Sequence, residues 1–347
     1  MLELIRKHPK YLKVLDDIKV GQCNYGLGLT RPARLAILSA LSIDLNIPIL
    51  VITDRADRSA MMLDELGYWL PEHPRLLFPE PTPMFYERAS WGAITRRERL
   101  AALSTLMSYH IPGIGKPDKP PILITSLRAV MTRTIPRREF IIASRTIHTN
   151  QTIPPGELRR AWVEQGYEAV DVVLEQGQFS QRGGILDIWG ASEHFPVRLD
   201  FFGDVIESIR QFDPTTQRTV STIEKVMITP AREFLIGNFQ FANEQDKPDE
   251  SLIPVLHPMP ATILDYLPKQ ALVVIDNLAN LQTFGEEIEE QALKLRRESI
   301  EEGIMAEDFP LPYVTWSEVL DTVETRRWIE LGRTNDPDGE SLGVIFQ

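Results

Sequence analysis

Pro48-Ile49-Leu50-Val51-Ile52-Thr53-Asp54 sets four consecutive apolar side chains between a helix-ending proline and a polar stop. A strand that is apolar at every position is buried on both faces, as in a parallel sheet with helices above and below. Upstream, Arg31 to Leu45 carries Leu35, Leu38, Leu41 and Leu45 at helical spacing. Downstream, Ile122-Leu123-Ile124-Thr125 and Ala271-Leu272-Val273-Val274-Ile275-Asp276 repeat the buried-strand pattern, and Leu76-Leu77-Phe78 repeats it more weakly. Thr95-Arg96-Arg97-Glu98 has the form of a capping box, opening a helix with Leu100, Leu103 and Leu106 toward a core. A last helix carries Leu281, Phe284, Ile288 and Leu295 and stops at Gly303. Alternating helices and continuous apolar strands predict a doubly wound α/β domain.

The texture changes after Pro136. From about Phe140 to Pro230 the chain shows period-two strands and turns, with one helix around Glu157 to Glu164. Val197, Leu199 and Phe201 alternate with Arg198, Asp200 and Phe202. Gly203-Asp204 supplies a hairpin turn, Ile206, Ser208, Arg210 and Phe212 continue beyond it, and Asp213-Pro214-Thr215-Thr216 is a second turn. This is expected to be an α+β module inserted into the α/β domain, with boundaries at residues 1–137, 138–233 and 234–347. The terminal Gly343-Val344-Ile345-Phe346-Gln347 reads as a strand just starting, which suggests either a truncated chain or a frayed natural tail.

The 347 residues carry 49 acidic and 37 basic side chains, a formal charge of −12. That balance argues against coating nucleic acid through bulk positive charge. One cysteine, Cys23, excludes a disulfide scaffold and a thiolate cluster and suits a reducing cytosol. No apolar run reaches the ~20 residues of a membrane span, and Met1 to Lys10 lacks a signal-peptide pattern. The expectation is a soluble, cytoplasmic monomer.

Catalytic and metal motifs are missing. The six histidines, His8, His73, His110, His148, His194 and His257, have no zinc-site spacing, and no Gly-x-Ser-x-Gly elbow appears. The expectation is no catalytic residue, no metal and no cofactor. Gly115-Lys116 is followed by Pro117 and leads into a strand, so it is no phosphate loop. Gly28-Leu29-Thr30-Arg31-Pro32-Ala33-Arg34-Leu35 does precede a helix. Against the phosphate-loop pattern, Arg34 takes the lysine position and Leu35 the Mg²⁺-binding hydroxyl position, while Pro32 removes an N–H donor. Gly28, Thr30, Arg34 and Leu35 therefore mark either a nucleotide scaffold with its chemistry erased or a chance loop before a helix.

On the Val197–Phe201 strand, alternation puts Arg198, Asp200 and Phe202 on the face away from the core. Phenylalanine beside arginine on a solvent face is a pairing that binding hot spots favour. The bland alternative has Phe202 covering a neighbouring strand and Arg198 paired with Asp200. Arg182, in Gly177-Gln178-Phe179-Ser180-Gln181-Arg182-Gly183-Gly184, stands at the tight entry to Ile185-Leu186-Asp187-Ile188-Trp189.

These stretches, with Gly166-Tyr167 and Phe212-Asp213-Pro214-Thr215-Thr216-Gln217-Arg218, closely resemble the N-terminal, UvrB-like region of the bacterial transcription-repair coupling factors (Mfd). The resemblance runs over nearly the whole chain and is strongest from Gly166 to Arg218. It implies an α/β domain like the first domain of the repair subunit UvrB, with a degenerate phosphate loop, interrupted by a module that binds the damage-recognition ATPase UvrA. It also implies that Arg182, Arg198 and Phe202 contact UvrA, and that this region hydrolyses no ATP. RNA polymerase and DNA would be engaged through domains absent from this chain. A divergent UvrB-like ATPase or damage-binding subunit is the alternative, but the stretch Phe85 to Thr95 is too short for UvrB's DNA-gripping hairpin.

Overall fold

A computed structural model of the chain describes residues 1–21, 23–111, 116–236 and 248–332. They divide into two units: Met1–Tyr86, Ser108–Arg133 and Thr262 onward, and Glu87–Met107 with Thr134–Ala261. Gly115 and the terminal Gly343–Gln347 run lie outside the described residues.

The first unit is built on a six-stranded, wholly parallel sheet. Its order is Tyr25–Gly26, Arg327–Glu330, Leu272–Ile275, Ile49–Thr53, Ile122–Ser126 and Arg75–Phe78. The three continuous apolar runs occupy its centre and are buried at every position. Ile49, Val51, Ile122, Ile124, Leu272 and Val274 share one cluster with the helices Pro9–Val20, Arg31–Leu45 and Ala56–Trp69. Leu50, Ile52, Leu123 and Val273 alternate to the other face and are buried as well. Both faces are covered, which is why these strands show no period of two. The helix Arg31–Leu45 begins and ends where its leucine spacing places it. Asp44 near its end takes hydrogen bonds from Arg6 Nε (2.9 Å), Arg6 Nη2 (2.6 Å) and Tyr11 Oη (2.7 Å), tying the N-terminal helices to it.

The second unit holds a six-stranded sheet in the order Thr219–Ile223, Val205–Phe212, Val197–Phe202, Ile185–Ile188, Gln178–Arg182 and Glu168–Ala169. Its pairs are antiparallel except the last, which is parallel. Lys225–Ile228 pairs separately with Arg145–His148. One face of the large sheet packs with the helix Pro155–Glu164: Trp162 meets Phe179 edge-on at 5.5 Å, among Leu186, Ile188, Val197, Leu199 and Ile209.

Two local expectations change. The helix carrying Leu100, Leu103 and Leu106 starts at Ala93, so Thr95 is its third residue and not its cap. The N–H of Arg96 already donates to Gly92 O at 3.0 Å, so that donor lies inside the first helical turn. This helix falls in the second unit. The second change lies in the hairpin. Ile206 does not share a face with Ser208, Arg210 and Phe212, because the register against Val197–Phe202 shifts between Ile206 and Ser208. The extra residue, Glu207, is a β-bulge: Ile206 and Ile209 point into the core, while Ser208 and Arg210 lie opposite Asp200 and Arg198.

The second unit also buries a complete ion pair. Arg99 donates from Nε to Glu233 Oε1 (2.6 Å) and from Nη2 to Oε2 (2.9 Å), and Thr134 Oγ1 adds a third bond at 2.6 Å. The two side chains are 0 % and 1 % exposed, and Arg99 lies 4.6 Å over the Trp91 ring. Removing one partner of such a pair leaves a buried charge uncompensated. Arg99→Ala or Glu233→Ala should therefore cost about 3–5 kcal/mol in urea unfolding of this unit. The double replacement Arg99→Met/Glu233→Leu should cost clearly less than the sum of the single losses.

Candidate functional site

The outer face of the second unit's sheet follows from register. Arg182 pairs with Ile185 and Ile185 with Asp200, while Ser180 pairs with Asp187 and Asp187 with Arg198. Because partners in register share a face, Arg182, Asp187, Arg198, Asp200 and Phe202 all stand on the side away from the Trp162 core. Phe202 is 76 % exposed, so the alternative in which it covers a neighbouring strand does not hold. It precedes the two-residue turn Gly203-Asp204, where Gly203 has φ +61° and the next pair is Phe202 with Val205. A first central residue with positive φ suits the twist of a tight hairpin and favours glycine.

The two arginines differ in setting. Arg182 ends its strand, is exposed, and donates from Nη2 to the Asp171 carbonyl at 2.6 Å. Arg198 is held by Asp187 through two parallel bonds of 2.7 Å, from Nε to Oδ1 and from Nη2 to Oδ2. Its Nη2 also reaches Gln217 Oε1 at 3.2 Å, and its guanidinium lies 4.6 Å over the Phe212 ring. The hydrogen bonds that Arg198 donates to Asp187 hold the Arg198 pKa above its ordinary value, against the opposing effect of burial. The expected alternative pairing of Arg198 with Asp200 is thus replaced by Arg198 with Asp187. Asp200 instead accepts from Ser208 Oγ (2.5 Å) and from Arg210 Nε and Nη2 (2.9 and 2.7 Å). Sequence reasoning missed Asp187 as a partner because the register that sets it against Arg198 is a tertiary fact.

In the first unit, three backbone donors of the loop before the helix Arg31–Leu45 are already committed. Leu27 N donates to Glu330 O (2.8 Å), Gly28 N to Gly332 O (3.1 Å) and Leu29 N to Leu331 O (2.8 Å). Pro32 has no N–H, and Thr30 sits at the N-cap without a side-chain cap bond. Arg34 donates from Nη1 to Asp276 Oδ1 at 2.8 Å, and Arg58 Nε takes the other oxygen at 3.2 Å. Leu35 is buried in the hydrophobic cluster. A phosphate cradle needs free N–H groups and an available cation. Here the N–H groups of Leu27, Gly28 and Leu29 and the cation at the lysine position, Arg34, are engaged by the protein itself.

Residues 146–234 match the family model of the UvrB interaction domain. Over the wider chain the similarity is to transcription-repair-coupling factors. The Bacillus subtilis protein is 25 % identical over 350 residues, 87 % of this chain and 29 % of its own length. That of Myxococcus xanthus is 32 % identical over 232 residues (65 % and 19 %), and that of Haemophilus influenzae 29 % over 284 (74 % and 24 %). The chain resembles the N-terminal region of the transcription-repair-coupling factors. It spans less than a third of the length of these relatives. The fold agrees: a mixed α/β chain with a parallel sheet, and a segment matching the UvrB interaction domain that contains Arg182, Asp187, Arg198, Phe202 and Gln217. Among the described residues, no group of three or more acidic, histidine or cysteine side chains could hold a metal ion. None of the described helices is long and apolar enough to cross a membrane.

The side chains of Arg34, Arg58 and Asp276 are only 14 %, 11 % and 9 % exposed. Asp276→Ala would leave two arginines without their shared carboxylate. It should lower the first unit's stability by at least about 2 kcal/mol in denaturant unfolding, whereas Asp64→Ala, an exposed control on the helix Ala56–Trp69, should not.

Proposed function

We propose that the chain is a non-catalytic recruitment module that binds UvrA through the outer face of its second-unit sheet, bringing nucleotide excision repair to stalled RNA polymerase. The observation that carries the reading is Phe202. It is a phenylalanine 76 % exposed at a hairpin tip, on the face it shares with Arg182 and Arg198, inside a segment matching the UvrB interaction domain. A large ring held in water on a rigid strand is costly unless a partner covers it, and aromatic and arginine side chains are the common anchors of such interfaces. The UvrA-binding module is, in this reading, residues 138–233, which lie in the second unit, with residues 1–137 and 234–347 on either side of it in sequence. The chain acts as a monomer in the cytoplasm. DNA translocation and contacts with RNA polymerase belong to parts of a coupling factor other than this one.

The alternative, a UvrB-like ATPase or damage-binding subunit, is disfavoured by the loop at Gly28 to Leu35. Its N–H groups at Leu27, Gly28 and Leu29 are bonded to backbone carbonyls, and Arg34 is bonded to Asp276.

Two measurements test this. In binding titrations with purified UvrA, Phe202→Ala, Arg182→Ala and Arg198→Ala should each lose about 2 kcal/mol or more of affinity while keeping the wild-type circular dichroism. Normal binding by all three would defeat the assignment. In calorimetry with Mg-ATP the chain should give no saturable heat; saturation would favour the ATPase reading.

A further inference from the structure

The three residues of the docking face are not equivalent. We infer that Arg198 is a positioning residue, locked in a socket of Asp187, Phe212 and Gln217, and that Phe202 and Arg182 are the side chains that reach the partner. This rests on the UvrA-docking reading and assigns roles within it.

The socket is built from two directions. From the neighbouring strand, Asp187 takes both the Nε and Nη2 protons of Arg198 at 2.7 Å. From the other side comes the turn that follows Phe212. Asp213 Oδ1 accepts from Thr215 N (3.0 Å), Thr216 N (2.7 Å) and Thr216 Oγ1 (2.9 Å), and Gln217 N donates to Asp213 O (2.8 Å). This folds Gln217 back in a left-handed conformation, φ +58°, in which its Nε2 donates to Pro214 O (2.7 Å) and its Oε1 meets Arg198 at 3.2 Å. A non-glycine residue at positive φ persists only where its surroundings hold it there. The fully buried Phe212 ring closes the floor. The motif Phe212-Asp213-Pro214-Thr215-Thr216-Gln217 thereby acquires a purpose. It straps the guanidinium whose Asp187 partner locks the Ile185–Ile188 strand to the Val197–Phe202 strand.

The Arg198 side chain is 18 % exposed. Asp200 is likewise closed by Ser208 and Arg210. Arg210, itself 35 % exposed, is neutralised by Asp200, so the outward side chains on this face without a carboxylate partner include the phenyl ring of Phe202 and the guanidinium of Arg182. The fitting partner surface is an apolar socket with a carboxylate or carbonyl at its rim, rather than a doubly acidic cleft.

The experiment is a calorimetric titration of the intact chain with UvrA. Phe202→Ala and Arg182→Ala should weaken binding about thirtyfold or more. Asp187→Ala and Gln217→Ala touch neither anchor, yet each should weaken it about tenfold, and Asp187→Ala/Arg198→Ala should bind no worse than Arg198→Ala alone. If Arg198 gripped the partner itself, freeing it from Asp187 or Gln217 would leave binding unchanged or tighter, and that result overturns the inference while sparing the docking reading. Should Asp187→Ala fail to fold, Gln217→Ala on the surface turn makes the same comparison. Wild-type affinity in Phe202→Ala and Arg182→Ala would remove the docking reading and this assignment together.

Discussion

A guanidinium group closed against a carboxylate within the protein is the constraint on which the rest of this structure depends. Three instances bear on the fold and the site. Arg99 and Glu233 join the helix Ala93–Met107 to the end of the UvrB-interaction segment inside one unit. Arg34, with Arg58, is consumed by Asp276 where a nucleotide fold would keep a cation ready for phosphate. Arg198 and Asp187 lock two neighbouring strands of the second unit's large sheet. Each pair takes charge out of water, a cost that good hydrogen-bond geometry only partly offsets. What each returns is specificity: a carboxylate at a fixed place leaves the arginine one orientation.

The same logic separates the two units in chemical character. In the first, residues that could handle a ligand are turned inward. The loop's N–H groups finish a sheet edge, and Leu35 joins the core in place of a hydroxyl. In the second, the sheet's inner face is filled by Trp162, Phe179 and their neighbours, and its outer charges are cancelled pairwise. The hairpin tip and the end of the Gln178–Arg182 strand carry the ring of Phe202 and an arginine with no carboxylate partner.

The elements legible in the sequence were those governed by short-range pattern. Ile49–Thr53, Ile122–Ser126 and Leu272–Ile275 announced themselves because burial on both faces erases alternation, and Arg31–Leu45 did so through its leucines. The outward stance of Phe202 was also present in the period of two, although the pattern could not separate a ring exposed to solvent from one laid over a neighbour. What stayed hidden depended on register. No local signal marks Glu207 as the extra residue of a bulge, and that one insertion decides which of Ile206 and Ser208 meets the core. Nor could spacing show that Arg198 would find Asp187 eleven residues upstream instead of Asp200 two residues away. The capping-box reading at Thr95 failed for a related reason: the motif was sound, but Ala93 and Ile94 had already begun the helix.

Gly184 sits behind this surface with a consequence of its own. A methyl group placed there would come within 3.0 Å of the Phe201 carbonyl oxygen, in the strand that bears the exposed ring. The scaffold therefore tolerates almost nothing at 184, while the phenyl group next door contributes little to folding and can be exchanged freely. Evolution, or an engineer, could thus retarget the tip by altering one side chain, provided the smallest residue beside it never grows.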